Sequence, residues 1–331
     1  MPQHSKQLSR RPVNSRHSLS ANNPIIRVPN RIADALMGPK QFPRFGILRD
    51  WQQHLKRLLA EEPGFACLKM DDQQFSNDEL REIYANLTRS MGSLNDRYGE
   101  FFEVKDRGLD HKKEAIPVSK TRASTGFHTD SSAANYCPTI VGLLCLQPAL
   151  SGGESLLADA TQLHDWLSKH HPTALNALTR PVCRDVITPG GQRNCDAIRK
   201  NAFPIFKSTS TGLQFRYMRY WIETAYHKLG EPLPSGLRSA MNLIDSYLLN
   251  PKNTYTRMLA RGEILLVNNQ RMCHSRTAFI DSTNPTRKRI LVRTWIDQFQ
   301  PPGNESSAPA QTHSDERGPS STPAFDPALA S

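Results

Sequence analysis

Short runs of apolar and β-branched residues at 64–70, 139–146, 154–157, 213–220, 263–268 and 289–298 constrain what this chain can fold into more than any other feature. Runs of this length, bounded by Gly, Pro, Asn and Asp, read as strands. Helical patterns lie between them: across 50–62, across 78–91, after Asp159, and from about Ser235 to Pro251, whose ring cannot continue a helix. In the second of these, Ser76 and Glu79 form a capping box and Gly92 supplies a left-handed stop. Gln162 completes a similar box behind Asp159. Strands dominate the second half, so a β-core with helices packed on it is the expected assembly.

A chain of 331 residues is long enough to bury a proper core without staples. Its six cysteines, Cys67, Cys137, Cys145, Cys183, Cys195 and Cys273, form no CxxC pair, and no apolar segment with a cleavage site opens the chain, so a cytoplasmic location is expected. No uncharged apolar run approaches the roughly 20 residues needed to cross a bilayer, so no membrane partner is expected. Residues 1–24 are rich in Ser, Asn, Arg and His, and residues 300–331 in Pro, Ser, Ala and Gly; both read as disordered tails around one folded unit, 25–299. The net charge of +11 is unevenly spread: Lys6, Arg10, Arg11, Arg16, Arg27 and Arg31 precede the first acidic residue, four acids face only Arg317 from Gln300 onward, and +8 remains on the body. No basic stripe interleaved with aromatics accompanies it, so nucleic acid is not the expected partner. A basic body does suit anionic small molecules.

The segment Gly126-Phe127-His128-Thr129-Asp130 holds an HxD pair, and on an extended chain its two side chains point the same way. So short a motif is weak alone. Far downstream, the strand 263–268 delivers a polar turn, Asn269-Gln270-Arg271, and then His274. Two histidines and a carboxylate on neighbouring strands make a facial triad with open positions on Fe(II), whereas a closed structural zinc site takes four ligands and usually thiolates. Cys273 would point away from His274 on an extended chain and is not counted as a ligand. His111, His164, His170, His171 and His227 lack a second ligand at useful spacing and read as surface or helix-face residues.

In the run Arg287 to Ile296, period 2 puts Arg289, Leu291, Arg293 and Trp295 on one face. Buried guanidinium groups need anionic partners, and a bound dicarboxylate is one candidate; an exposed face with both arginines against Asp or Glu is the alternative. The run 213–220 would place Phe215, Tyr217 and Arg219 on one face of a strand and Arg216, Met218 and Tyr220 on the other, either packed in the sheet or lining a substrate pocket.

Taken together, His128-Thr129-Asp130, Gly152-Gly153-Glu154-Ser155, Asn269 through His274, Arg276-Thr277-Ala278-Phe279, Arg289 and Arg293 resemble the taurine dioxygenase and clavaminate synthase-like (TauD/TfdA) family of 2-oxoglutarate-dependent oxygenases, over about residues 60 to 298. The resemblance implies a mainly β fold with flanking helices, a double-stranded β-helix (jelly roll, cupin-like) with a helical insertion. It implies iron bound by His128, Asp130 and His274, and Arg289 and Ser155 on the distal carboxylate of 2-oxoglutarate. Ser155 stands where the family more often has Thr. Arg293 falls where relatives place an arginine that often meets an anionic substrate group. The implied cofactor is Fe(II), with 2-oxoglutarate and O2 as cosubstrates, and the implied reaction turns 2-oxoglutarate into succinate and CO2 while oxidising a small molecule, by default through hydroxylation; desaturation, ring closure and cleavage stay open. Two readings of other classes are a noncatalytic metal-binding or sensor protein on the same fold and a basic nucleic-acid-binding protein. Oligomeric state is not legible in the sequence.

Overall fold

A computed structural model describes residues 25–38, 45–70, 74–108, 121–134, 136–185 and 194–297. Both terminal tails, 1–24 and 300–331, and His111 lie outside the described residues. The first third of the chain runs β1 (Ile26–Arg27), α1 (Asn30–Met37), α2 (Phe45–Ala60), β2 (Phe65–Lys69), α3 (Asn77–Arg89), β3 (Ser93–Leu94) and β4 (Phe102–Val104). The middle runs β5 (Ile140–Gln147), β6 (Ser151–Gly152), β7 (Ser155–Asp159), α4 (Ala160–His170), α5 (Pro172–Leu178), β8 (Val182–Cys183), α6 (Cys195–Lys200), β9 (Ala202–Phe203), β10 (Phe206–Thr209) and β11 (Gly212–Phe215). The last part runs α7 (Arg219–Leu229), α8 (Ser235–Leu248), β12 (Thr254–Arg257), β13 (Glu263–Asn268), β14 (Met272–Arg276), β15 (Phe279–Ile280) and β16 (Ile290–Asp297).

Seven strands form the larger sheet in the order β1-β2-β13-β5-β16-β3, with β4 also on β16; β1 pairs with β2 in parallel and the other pairs are antiparallel. A smaller antiparallel sheet has the order β12-β7-β14. Strand β5 is buried on both faces, which explains its unbroken apolar sequence. Its Ile140, Leu144 and Leu146 face a core shared with α1 and α3, which contribute Ile32, Leu36, Leu80, Ile83 and Leu87. Its Cys145 and Leu143 face a second core between the sheets, with Phe65, Leu265 and Leu291 from the larger sheet and Leu157 and Met272 from the smaller. The back of the smaller sheet, at Ala158 and Cys273, is covered by a third core from α4, α7 and α8 with Phe206, Phe215 and Tyr217. The helices expected after Asp159 and Ser235 are this cover. Among the described residues no helix is long and apolar enough to cross a membrane.

Three local expectations are corrected. The strand expected over 213–220 ends at Phe215, and Arg219 opens α7. Phe215 and Tyr217 are both buried, as alternation requires, but the Arg219 guanidinium is drawn to Glu223 one helical turn on (2.7 Å) and to Asp245 of α8 (2.7 Å), which favours a helix there. The capping box of Ser76 and Glu79 is formed, whereas Gly92 is not in the left-handed region and Ser90 ends the helix. Gly92 is instead a close-approach residue, because a Cβ on it would lie 2.5 Å from the Asp297 carbonyl oxygen of β16. Asp159 caps α4 through the Thr161 N–H (2.7 Å), and its other oxygen is held by Arg271 (2.6 Å), so the box with Gln162 does not close.

Candidate metal centre and carboxylate pocket

His128 and Asp130 sit on a segment without regular structure that is laced down on two sides. The His128 N–H donates to the His274 carbonyl (2.9 Å) and the His274 N–H donates back (2.8 Å). That exchange sets a strand-like register with β14 and leaves the imidazole centroids 4.4 Å apart. On the other side the Thr129 N–H donates to the Tyr217 carbonyl (2.9 Å), and the Tyr217 N–H donates to the Thr129 hydroxyl (3.2 Å). The Asp130 N–H donates to Asn269 Oδ1 (2.7 Å), while the Asn269 amide nitrogen donates to the carbonyls of Asp130 (3.2 Å) and Pro138 (3.1 Å). Asn269 is wholly buried. The polar turn ahead of His274 thus clamps the backbone of Asp130.

The three side chains converge. Asp130 Oδ1 lies 3.6 Å from His128 Nε2 and 3.4 Å from His274 Nε2, and one donor atom from each residue falls within 4.8 Å of the others. The His128 Nδ1 lies 2.8 Å from the Gly126 carbonyl, which assigns its proton to Nδ1 and leaves the Nε2 lone pair for a ligand. Burial and the neighbouring His128 push the His274 pKa down, favouring the neutral imidazole that metal binding needs. Burial would push the Asp130 carboxyl up, but the Arg293 guanidinium and both imidazoles outweigh it and hold it well below the usual carboxylate range. Oδ1 is buried and has no hydrogen-bond partner. An orphaned carboxylate oxygen facing two imidazole nitrogens is what a divalent cation would satisfy, so the residues present fit a metal. Cys273 is turned away into the helical core, its thiol against the Ala158 carbonyl and its pKa raised by burial, so it is no ligand.

From this centre a pocket runs between the sheets, lined among others by Leu143, Ser155, Arg276, Arg289 and Arg293. Arg289 is 4% exposed and its Nη1 has no partner. Burial pushes its pKa down to about 10, and burial together with the Arg289 charge does the same to Arg276. Both guanidinium groups stack on Phe279, at 4.9 and 5.0 Å from its centroid. Two desolvated cations with an unused donor make a site for an anion. The turn at Gly152 and Gly153 shapes it: both are in the left-handed region, and a Cβ on Gly153 would lie 3.3 Å from Arg289 Nε. Thr125 and Ser275 line the same pocket.

All the sequence-predicted site residues therefore gather in one place. The expected shared face of Arg289, Leu291 and Arg293 also holds, although the strand register shifts between Ile290 and Leu291. Arg293 lies 3.3 Å from Asp130 Oδ2, with its guanidinium over Phe102 and Trp295. Three residues that the sequence motifs include without a role also contribute to the site. Arg276 is two residues from His274 on β14, and alternation alone could have drawn it toward the pocket. Trp295, which donates to Asp130 Oδ2 (2.6 Å), shares with Arg293 the face that period 2 predicts. The clamp by Asn269 spans 139 residues and has no local signal.

Two imidazoles and a carboxylate, set beside a buried cationic pocket, define a protein of the open-coordination, single-metal class. The chain belongs to the taurine catabolism dioxygenase TauD, TfdA family, whose model matches residues 30–295. Among curated relatives, the FR-33289 synthase of Streptomyces rubellomurinus is 28% identical over 198 residues, 59% of this chain and 56% of the relative. The gamma-butyrobetaine dioxygenase of Homo sapiens is 23% identical over 218 residues, 64% of this chain and 53% of the relative. This chain thus spans about half the length of these relatives. The fold is similar to that of an asparagine oxygenase solved with Fe(II), 2S,3S-3-hydroxyasparagine and succinate (TM-score 0.59, 15% identity, 82% of this chain and 92% of that one). It is also similar to that of the non-heme iron oxygenase OrfP solved with Fe and alpha-ketoglutaric acid (TM-score 0.58, 13% identity, 83% and 94%).

Proposed function

We propose that this protein is an Fe(II)- and 2-oxoglutarate-dependent dioxygenase that hydroxylates a small anionic or amino-acid-like metabolite, releasing succinate and CO2. The observation that carries the reading is the partnerless Asp130 Oδ1 facing both Nε2 atoms beside the partnerless Nη1 of Arg289. His128, Asp130 and His274 would hold the iron, which supplies the redox chemistry that couples 2-oxoglutarate decarboxylation to substrate oxidation. Arg289 and Ser155 would bind the distal carboxylate, a bidentate task suited to a guanidinium in a dry pocket. Arg293 would receive an anionic group of the substrate, and the apolar walls of the pocket would exclude water. The two facing sheets are read as the halves of a double-stranded β-helix, and residues 25–299 as one oxygenase domain. The amino-acid-like substrate is supported by the hydroxyasparagine and hydroxyarginine bound in the structural neighbours. A reducing, cytoplasmic setting suits six cysteines that are all free thiols.

The test is anaerobic titration of metal-free protein with Fe(II) and then 2-oxoglutarate, with His128→Ala as control. A weak visible charge-transfer band that depends on His128 is the expected result, and amino acids and related anions would then be screened by succinate release. No band in folded protein would remove the basis for the reading.

A further inference from the structure

The two oxygens of Asp130 have different surroundings. Oδ1 faces the imidazoles and has no hydrogen-bond partner, whereas Oδ2 accepts the indole N–H of Trp295 at 2.6 Å and lies 3.3 Å from Arg293 Nη1. Trp295 is not free to turn away. It is 6% exposed, sits in β16 with Val141 of β5 as its register partner, and its carbonyl accepts the Asn95 N–H (2.9 Å). Tyr98 packs edge-on against its ring at 5.4 Å, and Tyr136 lies at 6.2 Å.

We infer that Trp295 is a positioning residue of the metal centre: by holding Oδ2 it makes Asp130 a ligand through Oδ1 alone, so that the carboxylate takes one coordination position and not two. The inference rests on the metal-centre reading above. Its physical basis is that a free carboxylate can chelate one cation through both oxygens, which would use a position that an incoming cosubstrate needs. A short hydrogen bond to an ionised acceptor, buried from water, opposes that rotation. Indole suits the task because it donates only, cannot itself ligate a metal, and adds no charge to offset that of Asp130. Arg293 is the weaker holder, since its contact is longer. It is also the residue assigned to the substrate anion, so Trp295 keeps Oδ2 occupied whichever partner Arg293 takes.

The test uses Co(II) as a spectroscopic probe of the whole protein and of Trp295→Phe, which removes the N–H and keeps an aromatic ring. Loss of an outer partner of a metal ligand typically weakens metal binding about 10- to 100-fold, and that is expected here. A changed visible Co(II) spectrum should accompany it, because the number of carboxylate oxygens on the metal changes; a tryptophan that merely fills space would leave the spectrum alone. Equal affinity and an identical spectrum in the two proteins would overturn the inference while leaving the metal-centre reading intact. Failure of the unsubstituted protein to bind Co(II) would overturn both. Should the variant not fold, unsubstituted protein with 15N-labelled indole decides the matter. The Trp295 N–H, assigned by substituting Trp51, Trp166 and Trp221 in turn, should resonate far downfield and move on Zn(II) binding. An ordinary shift that is insensitive to Zn(II) would overturn the inference.

Discussion

At the scale of single residues, the candidate site is lined by arginines that the fold has stripped of water. Arg289 carries its charge at 4% exposure with an unused Nη1, so removing it should cost the dicarboxylate most of its affinity. Breaking one side of such a desolvated pair typically costs about 3 to 5 kcal/mol. Arg289→Ala is therefore expected to raise the 2-oxoglutarate dissociation constant by hundreds-fold or more, read from the anaerobic charge-transfer titration; unchanged affinity would refute the assignment. Arg293→Ala should behave differently, raising the KM for the organic substrate with little change in 2-oxoglutarate binding, and a steady-state comparison of both substrates separates the two roles. The same chemistry predicts a pH signature. The Arg289 pKa is lowered by burial to about 10 in the folded state, well below that of an exposed arginine. The folded state thus bears the cost of a buried charge at all pH values below about 10, and sheds it as pH rises through that value and the group becomes neutral. A bound dicarboxylate offsets the cost only while the charge is present. The rise in Tm produced by 2-oxoglutarate on metal-loaded protein should accordingly be full at pH 7 to 9 and shrink as pH passes 10. A thermal-shift series that stays flat through pH 10.5 would contradict it.

At the scale of elements, the site depends on pieces that never touch it. Helix α3 is begun by the reciprocal Ser76 and Glu79 bonds (3.3 and 2.7 Å) and packs Leu80, Ile83, Tyr84 and Leu87 against the outer face of the larger sheet. Ser76→Ala should cost about 1 kcal/mol of stability, measured by urea unfolding, and leave Co(II) affinity unchanged, since the cap is remote from the metal ligands. Gly92 is a sharper dependency. A Cβ on it would meet the Asp297 carbonyl oxygen and Ile296 at the end of β16, the strand that carries Arg293 and Trp295. Gly92→Ala is expected to force the strand end outward, at a cost of about 1 to 3 kcal/mol by analogy with overpacking. Unlike Ser76→Ala it should also weaken Co(II) binding, and equal affinity would show that β16 absorbs the shift before it reaches Trp295.

At the scale of the whole molecule, the metal site is a seam. It joins the irregular segment carrying His128 and Asp130 to β14 of the smaller sheet, while β16 of the larger sheet reaches the same carboxylate through Arg293 and Trp295. A ligand that binds only the assembled state stabilises it by mass action, by about 2.7 kcal/mol at one hundred times its dissociation constant. Co(II) should therefore raise the Tm of the unsubstituted protein and leave that of His128→Ala unmoved; an equal rise in both would place the metal elsewhere.

Much of this architecture was legible in the chain. Alternation along β16 and the HxD spacing are local patterns with period 2, so they are visible in the sequence. His128, Asp130, His274, Arg289 and Arg293 could be named from such patterns together with the family resemblance. The capping box of α3 was readable for the same reason, because its partners are three residues apart. Local patterns failed where a distant contact outweighed propensity. Arg219 left the strand alternation because Glu223 and Asp245 offered it ion pairs, and Gly92 is required by β16 more than two hundred residues away. Sequence periodicity determined which side chains share a face. Only the tertiary structure decided that the faces of β14, β16 and the HxD segment meet at one carboxylate, with Asn269 on its backbone and Trp295 on its outer oxygen, because such pairings depend on register between strands far apart in the chain and leave no short-range trace.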